Sequence, residues 1–427
     1  MTRLLRYLWN AAAPWFRSYK FDRKFWLFFT AALCWDAGFG LYFFLFNLYL
    51  LDFHLNERAI GLINGALSLG VVAGTLPAGI LTRRFGPRHL LLLCFLLAPL
   101  LGVLRAIFVS ESAAIALAFV AGVVMCIWTV CFLPVTASLT SQSNRAAATG
   151  LIFSIGIGAT AGGAAVSGYL SQWIAMLGSD LGAADVKRIV LLLSSGVVGC
   201  GLIPLMRLPD VHTASPQSVA LRQQLAVLRH SFLRRFLPCM ALWSGLTGAF
   251  TPFAAVYFTQ QRHISLSHVG LIFSASQLAQ LIGGLLVPLV ERSLGMIRGI
   301  VVSQLATGIL LALTAFSSDP AWCIVLFCGY SAAQWICSPA MYTLLMNNVV
   351  DADRAGASAL IMFSNFIFTA GTTSAMGILL LDLGYPVVMI ALAALECILA
   401  IAFWWMIAEP ISPMPAQEKL RAESSMD

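Results

Sequence analysis

The chain has 427 residues, of which 60% are hydrophobic and 10% are charged, and its formal net charge is +7. Ordinary soluble domains carry about a quarter charged residues, so this composition excludes a typical soluble protein. Apolar runs of about 20 residues, the length of a helix that crosses a bilayer, recur along the whole sequence. The chain is therefore predicted to be a polytopic, all-α membrane protein.

The first predicted element, residues 1–25, is a basic amphipathic segment interrupted by Pro14, which is more typical of an interfacial helix than of a cleaved secretory signal. Twelve membrane helices follow. They are predicted near residues 26–52, 59–81, 88–109, 112–140, 146–175, 187–208, 234–260, 267–290, 296–317, 321–348, 355–381 and 386–408. The pattern predicts two six-helix bundles, 26–208 and 233–408, joined by a linker over 209–232 and followed by a tail over 409–427.

The distribution of arginine and lysine predicts the orientation. Positive residues gather in the amino-terminal segment, in the loop between the second and third helices and in the central loop, whereas the opposite loops hold Arg58, Lys187, Arg188 and Arg262. By the positive-inside rule, we expect both termini to be cytoplasmic and the chain to lie in the cytoplasmic (inner) membrane. Topology and attraction to anionic membrane lipids explain the net charge, so we expect no nucleic-acid partner.

The sequence partly overlays itself after a shift of 209 positions. "HLNERAIGLINGAL" from His54 then meets "HISLSHVGLIFSAS" from His263, and the shift aligns Gly61 with Gly270, Gly86 with Gly295, and Gly168 with Gly377. The shift spans six helices, an even number, so the halves enter the membrane in the same direction. The pattern predicts parallel repeats.

The turn between the second and third helices reads "GILTRRFGPRHL" from Gly79. With the twelve helices and the parallel repeat, this turn makes the whole chain resemble the major facilitator superfamily, whose loop signature is G-x-L-x-D-R-x-G-R-R/K. The match falls on Gly79, Leu81, Arg84, Gly86 and Arg88, with Arg83 in the acidic slot and Pro87 as a second departure; the other half keeps Glu291, Arg292 and Gly295. The resemblance implies a monomer that moves a small molecule by alternating access.

The resemblance also implies that this loop forms a cytoplasmic gate with the start of the eleventh helix. That helix begins near Asp351 and Asp353, so we expect Arg83 or Arg84 to pair with one of these aspartates. The alternative is that the arginines only anchor helix ends at the lipid headgroups.

Ionisable residues inside membrane helices are costly, which makes each a candidate functional residue. Asp36 lies near the middle of the first helix, on one stripe with Gly40, Phe43 and Asn47. We expect it to bind a proton or a cation, the alternative being a structural carboxyl. Glu396 lies on the twelfth helix, which the resemblance makes peripheral, so an inter-helix hydrogen bond or a protonated carboxyl is favoured over solute contact. Arg105 is expected to snorkel.

Further cavity candidates are aromatic and amide residues on helices that the resemblance makes central. They are Trp35, Phe39, Tyr42, Phe43, Asn47, Asn64, Trp128, Trp243, Phe250, Tyr257, Gln277, Gln280, Gln334, Trp335, Tyr342 and Asn365. An aromatic cavity with one acid suits a moderately apolar or cationic solute. Two signatures of drug–proton antiport are incomplete, because Ala118 and Ala159 replace the usual Arg and Pro. Asp36 is the reason to predict proton-coupled transport, and efflux is one possible direction. The incomplete signatures leave an uncoupled or uptake facilitator as the alternative.

An enzyme or a non-transporting sensor is the rival class. The six histidines lie in loops or at helix ends, the ten cysteines fall in apolar segments, and no phosphate-binding loop or nucleophile elbow is present. We expect no metal and no cofactor. Solute flux in proteoliposomes separates these classes.

Overall fold

The computed structural model describes residues 21–141, 144–178, 181–210, 231–349 and 354–407. Within these residues, 12 helices are long and apolar enough to cross a membrane, which confirms the predicted number. Residues 1–20 of the predicted amphipathic segment, residues 211–230 of the predicted linker and the whole predicted tail lie outside the described residues.

The first bundle contains α1 (Arg23–Asp52), α2 (Glu57–Phe85), α3 (Pro87–Ile107), α4 (Glu111–Ser138), α5 (Arg145–Leu177) and α6 (Ala183–Cys200). A five-residue helix, Leu202–Met206, continues α6. The second bundle contains α7 (Ser231–Val256), α8 (Leu266–Leu294), α9 (Met296–Phe316), α10 (Pro320–Asn348), α11 (Arg354–Leu383) and α12 (Tyr385–Ile407). A π-helical turn, Tyr257–Gln261, extends α7.

Equivalent turns of the two bundles share unusual backbone angles. Gly86 separates α2 from α3 with φ of 80°, and Gly295 separates α8 from α9 with φ of 79°. A glycine adopts this conformation without strain because it lacks Cβ. His54 after α1 and His263 after α7 also have positive φ, 60° and 53°. These four positions support the repeat predicted from the sequence.

The π-helical turn accounts for a change in the repeat's offset. Tyr49 and Tyr257 hold equivalent places, since each hydroxyl donates to a backbone carbonyl of the third helix of its bundle, Tyr49 to Ala106 and Tyr257 to Thr314. These tyrosines are 208 positions apart, whereas His54 and His263 are 209 apart. A π-helical turn accommodates one extra residue. The extra residue therefore lies between Tyr257 and His263.

The bundles meet chiefly along two helix pairs, α2 with α11 and α5 with α8. Small residues let the backbones approach closely. A Cβ atom added to Gly377 would lie 2.9 Å from the Cα of Gly61, and one added to Gly270 would lie 2.6 Å from the carbonyl oxygen of Ala164. Because α2 is equivalent to α8, and α5 to α11, the two contacts are related by the repeat.

We call the side of the membrane that carries His54 and His263 the outer side, and the side that carries Gly86 and Gly295 the inner side. The contacts between the bundles lie on the outer side. Three hydrogen bonds join described residues of the two bundles, and all lie in the outer half. They run from Asn47 Nδ2 to Pro252 O (2.8 Å), from Ser274 Oγ to Ala161 O (2.5 Å) and from Ser374 Oγ to Gly61 O (3.5 Å).

The same helix faces do not meet on the inner side. Gly79 lies 18 residues after Gly61 on α2, about five helical turns, and Gly150 lies 18 residues before Gly168 on α5. A Cβ atom at Gly79 or Gly150 would have nothing within 4 Å, whereas Gly61 and Gly168 contact the opposite bundle. The structure is therefore closed on the outer side and open on the inner side.

Candidate functional site

A central cavity lies between the bundles, with an empty volume of about 830 Å³ that includes its part open to solvent. Helices α1 and α5 line it from the first bundle, and α7, α8 and α10 line it from the second. Three glutamines, Gln277, Gln280 and Gln334, supply amide groups. The wall is otherwise rich in aromatic rings, so the cavity presents hydrogen-bonding groups against apolar faces.

Six of the predicted cavity residues line this space: Phe39, Phe43, Gln277, Gln280, Gln334 and Trp335. Gln334 is notable because its Nε2 atom is buried and finds no hydrogen-bond partner among the described residues. Buried polar atoms without partners are rare and costly, so each is a candidate for binding a ligand.

Asp36 lies beside the central cavity, at the contact between α1 and α5. A Cβ atom added to Gly156 would lie 2.5 Å from Oδ2 of Asp36, so the carboxyl rests directly over this glycine. One turn further along α5, the Thr160 hydroxyl donates to the Asp36 carbonyl oxygen at 3.3 Å, and Thr160 itself lines the central cavity. The half-buried carboxyl has neither an ion pair nor a side-chain hydrogen bond among the described residues.

A second cavity lies inside the first bundle, with an empty volume of about 740 Å³ on the same measure. We call it the N-bundle cavity. It is lined from α1, α2, α3, α4 and α6, and it contains the predicted residues Trp35, Tyr42, Asn47 and Asn64. Phe39 and Phe43 line both cavities and stack at 5.1 Å between ring centroids. These two rings are therefore the common wall.

Asn47 links the two bundles. Its Nδ2 donates to the Pro252 carbonyl, and its Oδ1 accepts from Asn64 Nδ2 at 3.1 Å. Asn64 also donates to the Ile60 carbonyl at 2.8 Å. The two asparagines therefore connect α1, α2 and α7 at the outer end of the N-bundle cavity.

Arg105 does not snorkel as predicted. It is 7% exposed and lines the N-bundle cavity, with its guanidinium 4.2 Å from the ring centroid of Phe46 and 5.6 Å from that of Tyr42. Its position in the last turn of α3 suggested an outward path, but packing among α1, α3 and α6 turns it into the bundle.

Other predicted residues lie in packed interiors. Trp243 and Phe250 are 2% and 0% exposed, and Trp128 stacks on Trp35 at 5.3 Å. The Asn365 amide is placed to donate to the carbonyls of Ile361 and Met240, at 3.2 and 3.3 Å, and so joins α11 to α7. These four residues do not line the central cavity in this state.

Glu396 is completely buried in α12, and neither carboxyl oxygen has a hydrogen-bond partner among the described residues. The inter-helix hydrogen bond expected for it is absent there. An unpaired buried carboxylate is costly, so this geometry favours the other expectation, a protonated carboxyl.

Several of the residues predicted to form the inner gate lie in the described part of the chain, on the side where the bundles are apart. Arg88 donates to Asp210 Oδ1 at 3.0 Å and to the Met206 carbonyl at 3.1 Å, which ties α3 to the end of α6 within one bundle. The Arg84 guanidinium lies 5.3 Å from the Phe85 ring centroid. Glu291 and Arg292 are exposed at the end of α8. The Arg83 side chain and the two acidic residues Asp351 and Asp353 lie outside the described part of the chain.

Sequence reasoning missed Gly156, Thr160 and Ser274. Gly156 receives the Asp36 carboxyl, and the Ser274 hydroxyl bridges α8 to α5. One signal was present, because Ser274 occupies the position equivalent to Gly65 under the 209-residue shift, and both residues contact the opposite bundle. No group of three or more His, Cys, Asp or Glu that could hold a metal ion occurs within the described ranges.

Two bundles closed on one side around a cavity are the architecture of an alternating-access transporter. The family model of the Major Facilitator Superfamily matches residues 27–370 and 236–425, and the chain belongs to that family. It is therefore a membrane transporter of a small solute rather than an enzyme. No curated protein sequence matches the chain significantly.

Several solved structures share the fold. A mutant form of the nucleoside transporter NupG has a TM-score of 0.78 at 14% identity, over 90% of this chain and 100% of that chain. A bacterial homologue of the human lysosomal transporter Spinster, inward-facing and occupied, has a TM-score of 0.72 at 13% identity, over 92% and 98%. A D-xylose–proton symporter has a TM-score of 0.71 at 13% identity, over 90% and 97%.

Proposed function

We propose that the chain is a proton-coupled secondary transporter of a small organic solute, with the solute in the central cavity and the coupling proton on Asp36. The observation that carries the proposal is the Asp36 carboxyl, which stands unpaired over Gly156 beside the cavity. A carboxyl that loses water favours its neutral form, and one that regains water favours its charged form. Rocking of the bundles therefore alternates the preferred protonation state.

The position of Asp36 suits such coupling because α5 takes part in the outer closure. Ala161 accepts the hydrogen bond from Ser274, and Ala164 lies against Gly270 of α8. These α5 residues lie within three turns of Gly156, which covers the Asp36 carboxyl. Separation of α5 from α8 is thus mechanically close to the proton site.

The walls of the central cavity favour a solute with both hydrogen-bonding groups and an apolar face. The glutamine amides serve the first, and Phe39, Phe43 and Trp335 serve the second. Nucleosides and D-xylose, for which two of the similar transporters are named, have this mixed character. A cationic solute was expected because the sequence suggested an acidic residue in the cavity wall. Asp36 does not line the cavity, so this argument for a cationic solute no longer applies.

The test is accumulation in proteoliposomes, with solutes first selected by a ligand-stabilisation screen. A pH gradient should drive accumulation by the unaltered protein, and Asp36→Asn should abolish it while binding persists. Glu396→Gln makes the same chemical change at the other intramembrane carboxyl and should retain accumulation. Loss in Glu396→Gln with retention in Asp36→Asn would assign the proton to α12.

An uncoupled facilitator is the alternative function. Such a protein would equilibrate the solute without concentrating it, and collapse of the pH gradient would leave its flux unchanged. This outcome would contradict coupling but leave the transporter assignment intact.

A further inference from the structure

Arg105 is a buried cation without a counter-charge. No carboxylate lies within ion-pair distance of it among the described residues, its Nε atom is buried without a hydrogen-bond acceptor, and no other hydrogen bond of its guanidinium to that part of the chain is present. Leaving a buried charge unpaired is strongly unfavourable, since water is lost and nothing replaces it.

The surroundings of the guanidinium are shaped for a ligand. Phe46 and Tyr42 contact it through their rings, which leaves its N–H groups without acceptors. The space beside it is the N-bundle cavity, which Ser194 and Ser195 also line. Both serine hydroxyls donate to the Leu191 carbonyl, at 2.8 and 3.0 Å, so the guanidinium supplies the donors without acceptors on this wall. A guanidinium presents a planar fork of donors that matches the oxygens of a carboxylate or phosphate.

The fold does not require an arginine here. The 209-residue shift that aligns Gly86 with Gly295 places Thr314 at this position of α9, and its hydroxyl donates to the Leu310 carbonyl at 2.7 Å. The 208-residue shift of the two tyrosine hydrogen bonds places Leu313 there instead. Neither residue is charged. The second bundle therefore packs the same helix without a cation. Arg105 breaks the repeat at a cavity wall, which points to a ligand more than to packing.

We propose that Arg105 binds an oxyanion group, carboxylate or phosphate, of an organic solute in the N-bundle cavity. The solute's apolar part lies along Phe39 and Phe43, the wall shared with the central cavity. This inference deepens the proposed function and rests on it, because it gives the transported solute an anionic group. The N-bundle cavity is then a subsite reached from the central cavity past these two rings.

The test uses matched probes on the purified full-length protein at constant ionic strength. Benzoate, benzamide, benzylammonium and phenyl phosphate share a ring and differ in the attached group. Since a ligand of the folded state raises the unfolding temperature, benzoate or phenyl phosphate should raise Tm by at least about 2 °C. Benzamide and benzylammonium should not. Comparison of the two anions, with inorganic phosphate as a third arm, separates carboxylate from phosphate recognition.

Arg105→Gln should abolish the anion-dependent shift. The matched control is Arg188→Gln, which removes an arginine that also faces an aromatic ring, Phe53 at 5.7 Å, but is paired with Asp185 outside the cavity. This control should keep the full shift. An equal shift with benzamide, or an undiminished benzoate shift in Arg105→Gln, would overturn the proposal.

A second variant covers the case in which Arg105→Gln does not fold. Arg105→Lys keeps the charge but loses the donor fork, so the benzoate shift should shrink and its preference over benzamide should remain. An unchanged benzoate shift in Arg105→Lys would place the anion elsewhere. If the protein shows the anion-dependent rise in Tm but no solute accumulation driven by a pH gradient, the proposed function fails and the subsite stands. If it shows such accumulation but no anion-dependent rise in Tm, the subsite fails and the proposed function stands.

Discussion

Asp36, Arg105 and Glu396 are ionisable side chains inside membrane-spanning helices, and none forms an ion pair with another described residue. Their surroundings differ. Asp36 lies half-buried beside the central cavity, Arg105 lines the N-bundle cavity, and Glu396 is sealed in the second bundle. A site that exchanges protons needs access to water, so Asp36 fits coupling better than Glu396 does.

Adding one methyl group at Gly156, the glycine beneath the Asp36 carboxyl, tests whether the position of that carboxyl matters for coupling. In Gly156→Ala the new Cβ would lie 2.5 Å from Oδ2, so the short carboxyl must turn away from α5. We expect pH-driven accumulation to fall roughly fivefold, as for an effect of about 1 kcal/mol. Gly158→Ala is the matched control, because a Cβ there has nothing within 4 Å. Equal accumulation in both variants would show that the contact is irrelevant to coupling.

At the scale of helices, the outer closure depends on glycine faces that leave no room for a methyl group. α2 meets α11 through Gly61 and Gly377, while α5 meets α8 through Gly168 and Gly270. On the inner side, Gly79 and Gly150 continue two of these faces without a partner. The alternating state is therefore expected to bring the inner stretches together and to separate the outer glycines.

Gly377→Ala should open the outer closure. Its Cβ would clash with the Glu57 carbonyl oxygen, and backbone atoms cannot yield as a side chain can. Overpacking costs about 1–3 kcal/mol, and about 1.4 kcal/mol shifts an equilibrium tenfold. A single cysteine at Ser331, in a background without the native cysteines, should then react faster from the outer side. Gly371→Ala on the same helix meets nothing within 4 Å and should not change labelling.

The inner gate is a prediction about the state in which that side is closed. Arg83→Asp should favour the inward-facing state, and adding Asp353→Arg should restore the balance if the two residues are partners. Exposed ion pairs contribute about 0–1 kcal/mol, so the shift in cysteine labelling should be about fivefold or less. Strict additivity of the two substitutions would show instead that Arg83 only anchors the helix at the membrane surface.

At the scale of the molecule, the two bundles are built on one plan with local departures. The shared turns at Gly86 and Gly295 keep the plan, whereas the π-helical turn after α7 and Arg105 break it in one bundle each. The π-helical turn lengthens α7 in the second bundle, and Arg105 places a buried cation in the first bundle.

Co-expression of residues 1–215 with residues 216–427 tests whether the bundles are independent units. The fragments should co-purify and retain some flux, because the linker supplies proximity more than contacts. Gly377→Ala in the second fragment should weaken their association, since the interface rests on that glycine. Two stable fragments that never associate would contradict this view.

The sequence predicts the helices and the repeat well because hydrophobic length and glycine turns are local properties. It predicts cavity walls less well, because the pattern of polar and apolar residues along one helix does not identify which neighbouring helix packs against each face. Asp36 and Asn47 share one face of α1, yet the first contacts α5 and the second contacts α7 and α2. Trp243 and Phe250 likewise face the interior of their own bundle, and Arg105 turns inward from a helix end.

The most direct test of coupling at Asp36 compares exchange with accumulation in the same proteoliposomes. Exchange of labelled for unlabelled solute requires no net release of the proton, whereas accumulation under a pH gradient requires release at every cycle. Asp36→Asn, which mimics the protonated carboxyl permanently, should therefore exchange solute at a rate comparable with the unaltered protein and accumulate none. Retention of gradient-driven accumulation, or loss of exchange in a folded variant that still binds solute, would contradict the account.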